Sequence, residues 1–208
     1  MKKAEKTNLT IKRILDAGIQ EFGKGSYDSV SINTILENHG ISKGLFYHNF
    51  KSKDELYLAV VKLTFDEMIR INSEETREEG NTEDATILVI RKRHKFFRDN
   101  PLMANIFFTA LFKTPPHLAN KLKEVKKEFD ETSKKFIMSL PIKDDIDPLL
   151  AANCVLFFQE IFNLYYANES KQHNDFKRVV TEHESTLQSL IEILFHGLLK
   201  DPETVQCK

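Results

Sequence analysis

SINTILENHGISKGLFYHNFKSKDEL, residues 31–56, is the stretch on which the reading of this 208-residue chain turns. Ile32, Ile35 and Leu36 recur at i, i+3 and i+4, the spacing of one helix face. His39-Gly40 ends that helix, because Gly40 reaches a left-handed conformation that a side chain makes costly. Ser42 caps a second helix in which Phe46 and Phe50, four apart, share the inward face. Lys43, Gly44, Tyr47 and His48 are left on the opposite face, a small set of donors with one flat ring. Two short helices across a tight turn predict a helix-turn-helix, whose second helix enters a major groove by its N-terminal half.

The flanks fit that arrangement. Ile11, Ile14, Leu15, Ile19 and Phe22 form a helical stripe, which predicts a helix from Thr7 or Thr10 to Phe22, closed by Gly23 and Gly25. It buttresses the other two, and residues 1–6 read as a basic tail. Ser31 caps the helix after it, and Ser52-Lys53-Asp54-Glu55 has the pattern of a capping box for a fourth helix. Exposed amides at helix starts are phosphate sites, and Lys53 adds charge in the first turn. A lone serine cap is more often structural; several caps around one outward helix give Ser31 and Lys53 an even claim on phosphate.

GISKGLFYHNFKSKDEL, with the upstream ILDAGIQEFGKGSYDSVSINTIL, resembles the DNA-binding signature of the TetR/AcrR transcriptional repressors. The likeness covers about the first quarter of the chain; beyond residue 60 it is one of length and helical character. The resemblance implies a homodimer whose two heads present residues 42–50 to successive major grooves of a near-palindromic operator. In that arrangement the Gly44 amide and the Ser31 hydroxyl would suit phosphate, and Ser42 and Lys53 are counted with them among the DNA-binding residues. Lys43 and His48 would reach bases or phosphates, and Tyr47 would pack on backbone or a thymine methyl. Leu45 departs from the small or hydroxyl residue usual at that place in the family, so apolar contact with thymine is expected there. The resemblance also implies an effector pocket after the fourth helix and a dimer interface built from the last two helices.

The rest of the chain reads as helix throughout. A long fourth helix runs from Lys53 to about Glu79, and the charged run 74–80 closes it. Asn100-Pro101, Thr114-Pro115 and Asp147-Pro148 each place a cap residue before a proline suited to a first helical position. With Asn81-Thr82 they predict helices near 82–98, 101–112, 115–139, 147–168 and 174–199. No strand pattern or internal repeat is evident. The fold class is therefore all-α: a three-helix head, residues 1–52, joined by a long helix to a helical effector-binding and dimerisation domain, residues 53–208.

Aromatic doublets mark the second half. Phe97, Phe107, Phe108, Phe112, Phe158, Phe162 and Tyr166 are most simply core, but they are also the material of an apolar pocket. The helix over 148–166 is apolar nearly all round, which predicts burial against more than one partner. Asn153, Glu160 and Asn163 interrupt it. A carboxylate is seldom fully buried alone, so Glu160 either pairs across a subunit interface or faces a ligand.

Composition limits the remaining classes. The net charge of −1 does not announce a nucleic-acid partner, and residues 1–60 are only weakly basic, with nine Lys/Arg against seven Asp/Glu. A dimer with a local basic patch still binds DNA under those conditions. Cys154 and Cys207 make no CxxC pair and suit a reducing cytoplasm. No apolar run of membrane-spanning length and no secretory signal are evident. Neither a catalytic motif nor a metal-ligand spacing occurs, no cofactor is implied, and His94, His183 and His196 read as surface or satisfied core histidines. The expectation is a cytoplasmic, ligand-responsive repressor with partners of operator DNA, a small apolar effector and a second copy of itself. The alternatives are a DNA-binding regulator with no small-molecule inducer, or a helical enzyme or carrier with an incidental helix-turn-helix.

Overall fold

The structure, a computed structural model, describes residues 3–73, 82–172 and 175–199. Among them the helices are α1 (Lys3–Lys24), α2 (Ile32–His39), α3 (Lys43–Asn49), α4 (Lys53–Ser73), α5 (Thr82–Asp99), α6 (Pro101–Phe112), α7 (Ala119–Ser139), α8 (Pro148–Gln172) and α9 (Phe176–Leu198). A single 3-10 turn, Pro116–Leu118, precedes α7. The only extended pairing described is one isolated antiparallel bridge, between Ile142 and Leu199. The all-α expectation holds. The charged run 74–80, the cap at Asn81, His173 and Cys207 lie outside the described residues.

Two boundaries and the apolar length of one helix differ from the sequence reading. α1 begins by Lys3, so Lys3, Ala4, Glu5 and Lys6 belong to the helix and not to a basic tail. All four are strong or adequate helix formers, which lets the stripe behind them extend backwards. Pro115 does not open α7. It is extended (φ −57°, ψ 136°) because a second proline follows it, and the residue before a proline avoids the helical region. The Thr114 hydroxyl turns back to the Ala110 carbonyl instead of capping the next helix. α8, finally, is long and apolar enough to cross a membrane by length and composition, which the sequence reading did not expect. Asn153, Glu160 and Asn163 interrupt it, and α9 packs along it, as in a protein bundle.

The chain forms two compact units, residues 1–65 with 97–126, and residues 66–96 with 127–208. α4, α5 and α7 contribute residues to both. The first unit thus joins α6 to the helix-turn-helix. α1 and α6 approach closely: a side chain at Gly23 would come within 2.6 Å of Leu102 Cβ and 2.9 Å of its Cα. Ile14, Phe22, Ile35, Phe46, Leu56, Tyr57 and Val60 fill the core around α1, and Tyr57 meets Phe22 edge-on at 5.1 Å.

In the second unit, α8 and α9 pack through Ala152, Val155, Phe162, Tyr166, Val179, Leu187 and Ile191. A polar network sits in this core. Glu184 accepts from Arg93 Nη2 at 2.7 Å and His183 Nδ1 at 3.0 Å, and lies 3.3 Å from His94 Nε2. His183, fully buried, contacts the Asn163 side-chain amide at 2.8 Å and packs between the rings of Phe162 and Tyr166. Burial would raise the Glu184 carboxyl, but Arg93 first, then His183 and His94, hold it well below the usual range. Burial dominates at His183 and lowers it, against the pull of Glu184. With its Nδ1–H donated to Glu184, a neutral ring accepts at Nε2, which requires the Asn163 amide to turn its NH2 toward it.

The pH dependence follows in sign. Both groups have folded values below their unfolded ones, so the unfolded chain binds protons first as pH falls. His183 removes stability below about pH 6.5, and Glu184 removes more below about pH 4.3. Thermal unfolding followed by circular dichroism from about pH 8 to 4 is expected to show a falling midpoint, with the upper limb flattened in His183→Gln. A midpoint constant across the histidine range in the wild-type protein would contradict this assignment.

Candidate functional site

The turn between α2 and α3 is built by Gly40, whose φ of 59° and ψ of 40° are left-handed. Its N–H returns to Glu37 and Leu36, and the Ile41 N–H bonds the Leu36 carbonyl at 2.9 Å. Helix α1 holds this turn from outside. Arg13 Nη2 donates to the His39 carbonyl at 2.9 Å and to the Gly40 carbonyl at 3.0 Å. Eight residues along the same helix, Glu21 accepts from Asn38 Nδ2 at 3.1 Å and His39 Nε2 at 2.9 Å. Burial would raise the Glu21 carboxyl, but these two hydrogen bonds, with the His39 and Lys24 charges, hold it below its ordinary value. The sequence reading assigned α1 to the core and missed both residues. Their spacing on one helix face was the available signal, but it names no partner.

Both caps form as the sequence predicts. The Ser31 hydroxyl accepts from the Thr34 N–H at 3.0 Å, and the Ser42 hydroxyl accepts from the Leu45 N–H at 3.2 Å. At α4 the Ser52 hydroxyl accepts from the Glu55 N–H at 3.2 Å, while Glu55 reaches one residue further back, to the Lys51 N–H at 2.6 Å. Phe46 is fully buried and Phe50 nearly so, and their rings stack at 6.0 Å. Lys43, Gly44, Tyr47 and His48 are exposed along the other face of α3, and Leu45 is half-buried. Tyr47 is 54% exposed, with its ring edge-on to Phe46 at 5.1 Å, a rigid aromatic on an outward surface.

Two of the expected contact residues need separate treatment. A side chain at Gly44 would meet nothing within 4 Å, so nothing in the chain itself requires glycine there. Glycine in a helix costs about 0.5–1 kcal/mol relative to alanine, which suits a backbone that a partner approaches closely. Lys53, by contrast, is engaged internally. Its ammonium donates to the Tyr27 carbonyl at 3.0 Å and the Val30 carbonyl at 3.1 Å, and lies 3.9 Å from the centre of the Tyr27 ring. It closes the α1–α2 loop onto the start of α4.

The residues expected to line an effector pocket fall into separate groups. Phe97, Phe107, Phe108 and Phe112 are buried together in the first unit, with neighbouring centroids 5.1–5.7 Å apart. Phe158, Phe162 and Tyr166 form a ladder in the second unit, at 5.8 and 4.9 Å, the last two against His183. Glu160 is exposed on α8. Among the described residues no group of three or more His, Cys, Asp or Glu is placed to hold a metal ion.

Residues 14–60 match the family profile of bacterial regulatory proteins, tetR family. This head belongs to the TetR family. The match takes in the Arg13-held turn and all of α3. A fatty acid metabolism regulator protein of Bacillus subtilis is 22% identical over 164 residues, covering 76% of this chain and 84% of its own. A TetR-family transcriptional regulator from Pectobacterium atrosepticum superposes with a TM-score of 0.69 at 17% identity, covering 97% of this chain and all of that one. The transcriptional regulator FadR from Bacillus subtilis, solved in complex with stearoyl-CoA, gives 0.61 at 17% identity over 85% of this chain and 95% of its own. At these identities the likeness is one of fold, and it extends well beyond the TetR-family head.

The open position at Gly44 yields a two-sided expectation. Gly44→Ala should raise stability to denaturant by about 0.5–1 kcal/mol while weakening binding to operator DNA. A variant less stable than the wild type would contradict the open position, and one that binds operator unchanged would remove Gly44 from the expected DNA contacts.

Proposed function

We propose that the chain is a ligand-responsive transcriptional repressor that binds a palindromic operator as a dimer. The outward face of α3 carries this reading: Lys43, Gly44, Tyr47 and His48 are exposed on a helix whose opposite face is locked by Phe46 and Phe50. Such a face supplies a cation, an imidazole and a hydroxyl for base edges and phosphate, and a ring for a thymine methyl. Ser31 and Ser42 lie at helix N-termini, where N–H groups and the helix dipole favour phosphate.

Dimerisation through α8 and α9 rests on their exposed side. Leu150, Phe157, Ile161 and Leu164 recur at spacings of seven, four and three along α8, with exposures of 64, 66, 52 and 62%. Ile193 on α9 is 67% exposed. A contiguous apolar stripe of this kind marks an interface on a protein that works in water. A second copy presenting the same stripe satisfies it by two-fold symmetry, which a palindromic operator mirrors. Half-sites one helical turn apart are separated by about 34–36 Å. Glu160 and Asn153, both exposed on that side, would be its polar contacts. A regulator of this kind acts in the cytoplasm.

Residues 53–208 would carry the effector and dimer functions, with α4, which contributes to both compact units, as the switch. An effector shifts the population away from the DNA-competent state only by its differential affinity, and moving 1:99 to 99:1 requires about 5.5 kcal/mol. The relatives named for fatty acid metabolism and for a stearoyl-CoA complex make long-chain acyl thioesters the first effector class to test.

A gel shift at fixed salt against DNA around the chain's own gene, followed by selection from random duplexes, tests the reading. The expected result is a discrete shift, competed by specific DNA and abolished by Tyr47→Ala. Stearoyl-CoA should release it where free CoA does not. No specific site from either source would overturn the repressor. A specific site indifferent to every acyl effector would leave a regulator without this inducer.

A further inference from the structure

The segment that follows α5 touches the head at two places well apart. Asn105 on α6 donates through Nδ2 to the Gly23 carbonyl at 3.1 Å and the Gly25 carbonyl at 2.9 Å, closing the C-terminal end of α1. Further on, in the 3-10 turn before α7, His117 meets Tyr27 of the α1–α2 loop and Asp54 of α4. His117 Nε2 is 3.4 Å from the Tyr27 hydroxyl and 3.5 Å from Asp54 Oδ1, and its ring lies edge-on to Tyr27 at 5.6 Å.

The protons of this cluster are fixed by counting. Burial first, and the hydrogen bond to Asp54 second, push the Tyr27 hydroxyl up to about 12. The same hydrogen bond, against burial and aided by His117, keeps Asp54 below the usual carboxylate range. Tyr27 is therefore protonated and gives its single proton to the Asp54 carboxylate. What remains on both oxygens is lone pairs, which only a donor satisfies. His117 must then present Nε2–H. The other charged groups around the cluster are Lys53, over the Tyr27 ring, Lys121 of α7, near Asp54, and Asp28 beside Tyr27.

We propose that His117, remote in sequence from the helix-turn-helix, is a positioning residue for operator recognition. It acts through Tyr27 and Asp54. Those two fix the α1–α2 loop and the first turn of α4. Between them Lys53 ties the Tyr27 and Val30 carbonyls, immediately before the Ser31 cap of α2. α3 is joined to α4 by only Phe50, Lys51 and Ser52, so the first turn of α4 sets where α3 ends. The joint between α6 and α7 is thus a clasp on the recognition helix.

This rests on the DNA-binding reading, and its test has an arm that does not. His117→Ala, His117→Gln and Tyr27→Phe are compared with the wild type in the full chain. The side chain of His117 is more than half exposed, so its removal spares the core. Amide hydrogen exchange in the free protein reads the clasp directly. His117→Ala is expected to speed exchange of residues 26–31 and 51–56 by about tenfold, with Gln, which keeps an N–H donor, restoring most of it. On DNA, His117→Ala should weaken the selected operator by about tenfold while random duplex changes by less than about twofold. Tyr27→Phe should produce the same selective loss, and the double variant should lose no more than either alone. Unchanged exchange in both segments, additive effects, no rescue by Gln, or equal loss on operator and random DNA would each overturn the clasp. Failure of the wild type to bind any DNA would instead strike the repressor reading, while the exchange measurement still decides the clasp.

Discussion

The left-handed turn at Gly40 is the constraint on which the reading head depends. A residue with a side chain reaches that conformation only at a cost of about 1–2 kcal/mol, and the angle between α2 and α3 follows from it. Main-chain bonds from Gly40 and Ile41 close the turn, but its carbonyls point outward and would otherwise meet water. Arg13 takes both of them, and Glu21 takes the side chains of Asn38 and His39. Because α1 is a rigid rod, two anchors eight residues apart fix the turn in position as well as in shape. Everything that faces outward from α3 inherits that rigidity.

Local features were legible in the sequence to the extent that their causes are local. The caps at Ser31 and Ser42, the end at Gly40 and the inward Phe46 and Phe50 need only spacing and residue type. The start of α7 failed for an equally local reason, the second proline, which the cap-then-proline pattern did not weigh. Arg13, Glu21, Asn105 and His117 were not legible. Each reaches a partner 17 to 90 residues away. The reach belongs to tertiary packing, and a lone Arg or His in a helix stripe carries no trace of it. Lys53 shows the converse. Its place at a helix start suggested phosphate, while the carbonyls of Tyr27 and Val30, brought in by the fold, hold its ammonium.

α8 is apolar on both sides, with a polar group set into the buried one. Its exposed side carries Leu150, Phe157, Ile161 and Leu164, and its buried side carries Asn163 against His183, next to the Glu184 pair with Arg93. Buried ion pairs add little net stability, since desolvation of both partners offsets their attraction. Their effect is geometric: Arg93 and Glu184 admit one register of α5 against α9, and His183 one register of α9 against α8. The apolar outside then presents a fixed pattern and not a mobile one, which is what a two-fold self-contact requires. Together the two features give the proposed two-fold contact an apolar surface held in one register.

The packing of the first unit bears separately on the size of the effector that the proposed function invokes. Phe97, Phe107, Phe108 and Phe112 are in mutual contact, so a ligand that inserts among them must part rings that now exclude water. Re-exposing one large apolar side chain costs about 1.5–3 kcal/mol, and the switch itself requires about 5.5 kcal/mol of preference. A methylene contributes about 0.8 kcal/mol on burial, so a short acid or a small aromatic falls below the combined requirement. A chain of a dozen or more methylenes exceeds it. If these rings are the site of the proposed effector, length is the property that discriminates its ligands, and response should rise steeply with each added pair of carbons.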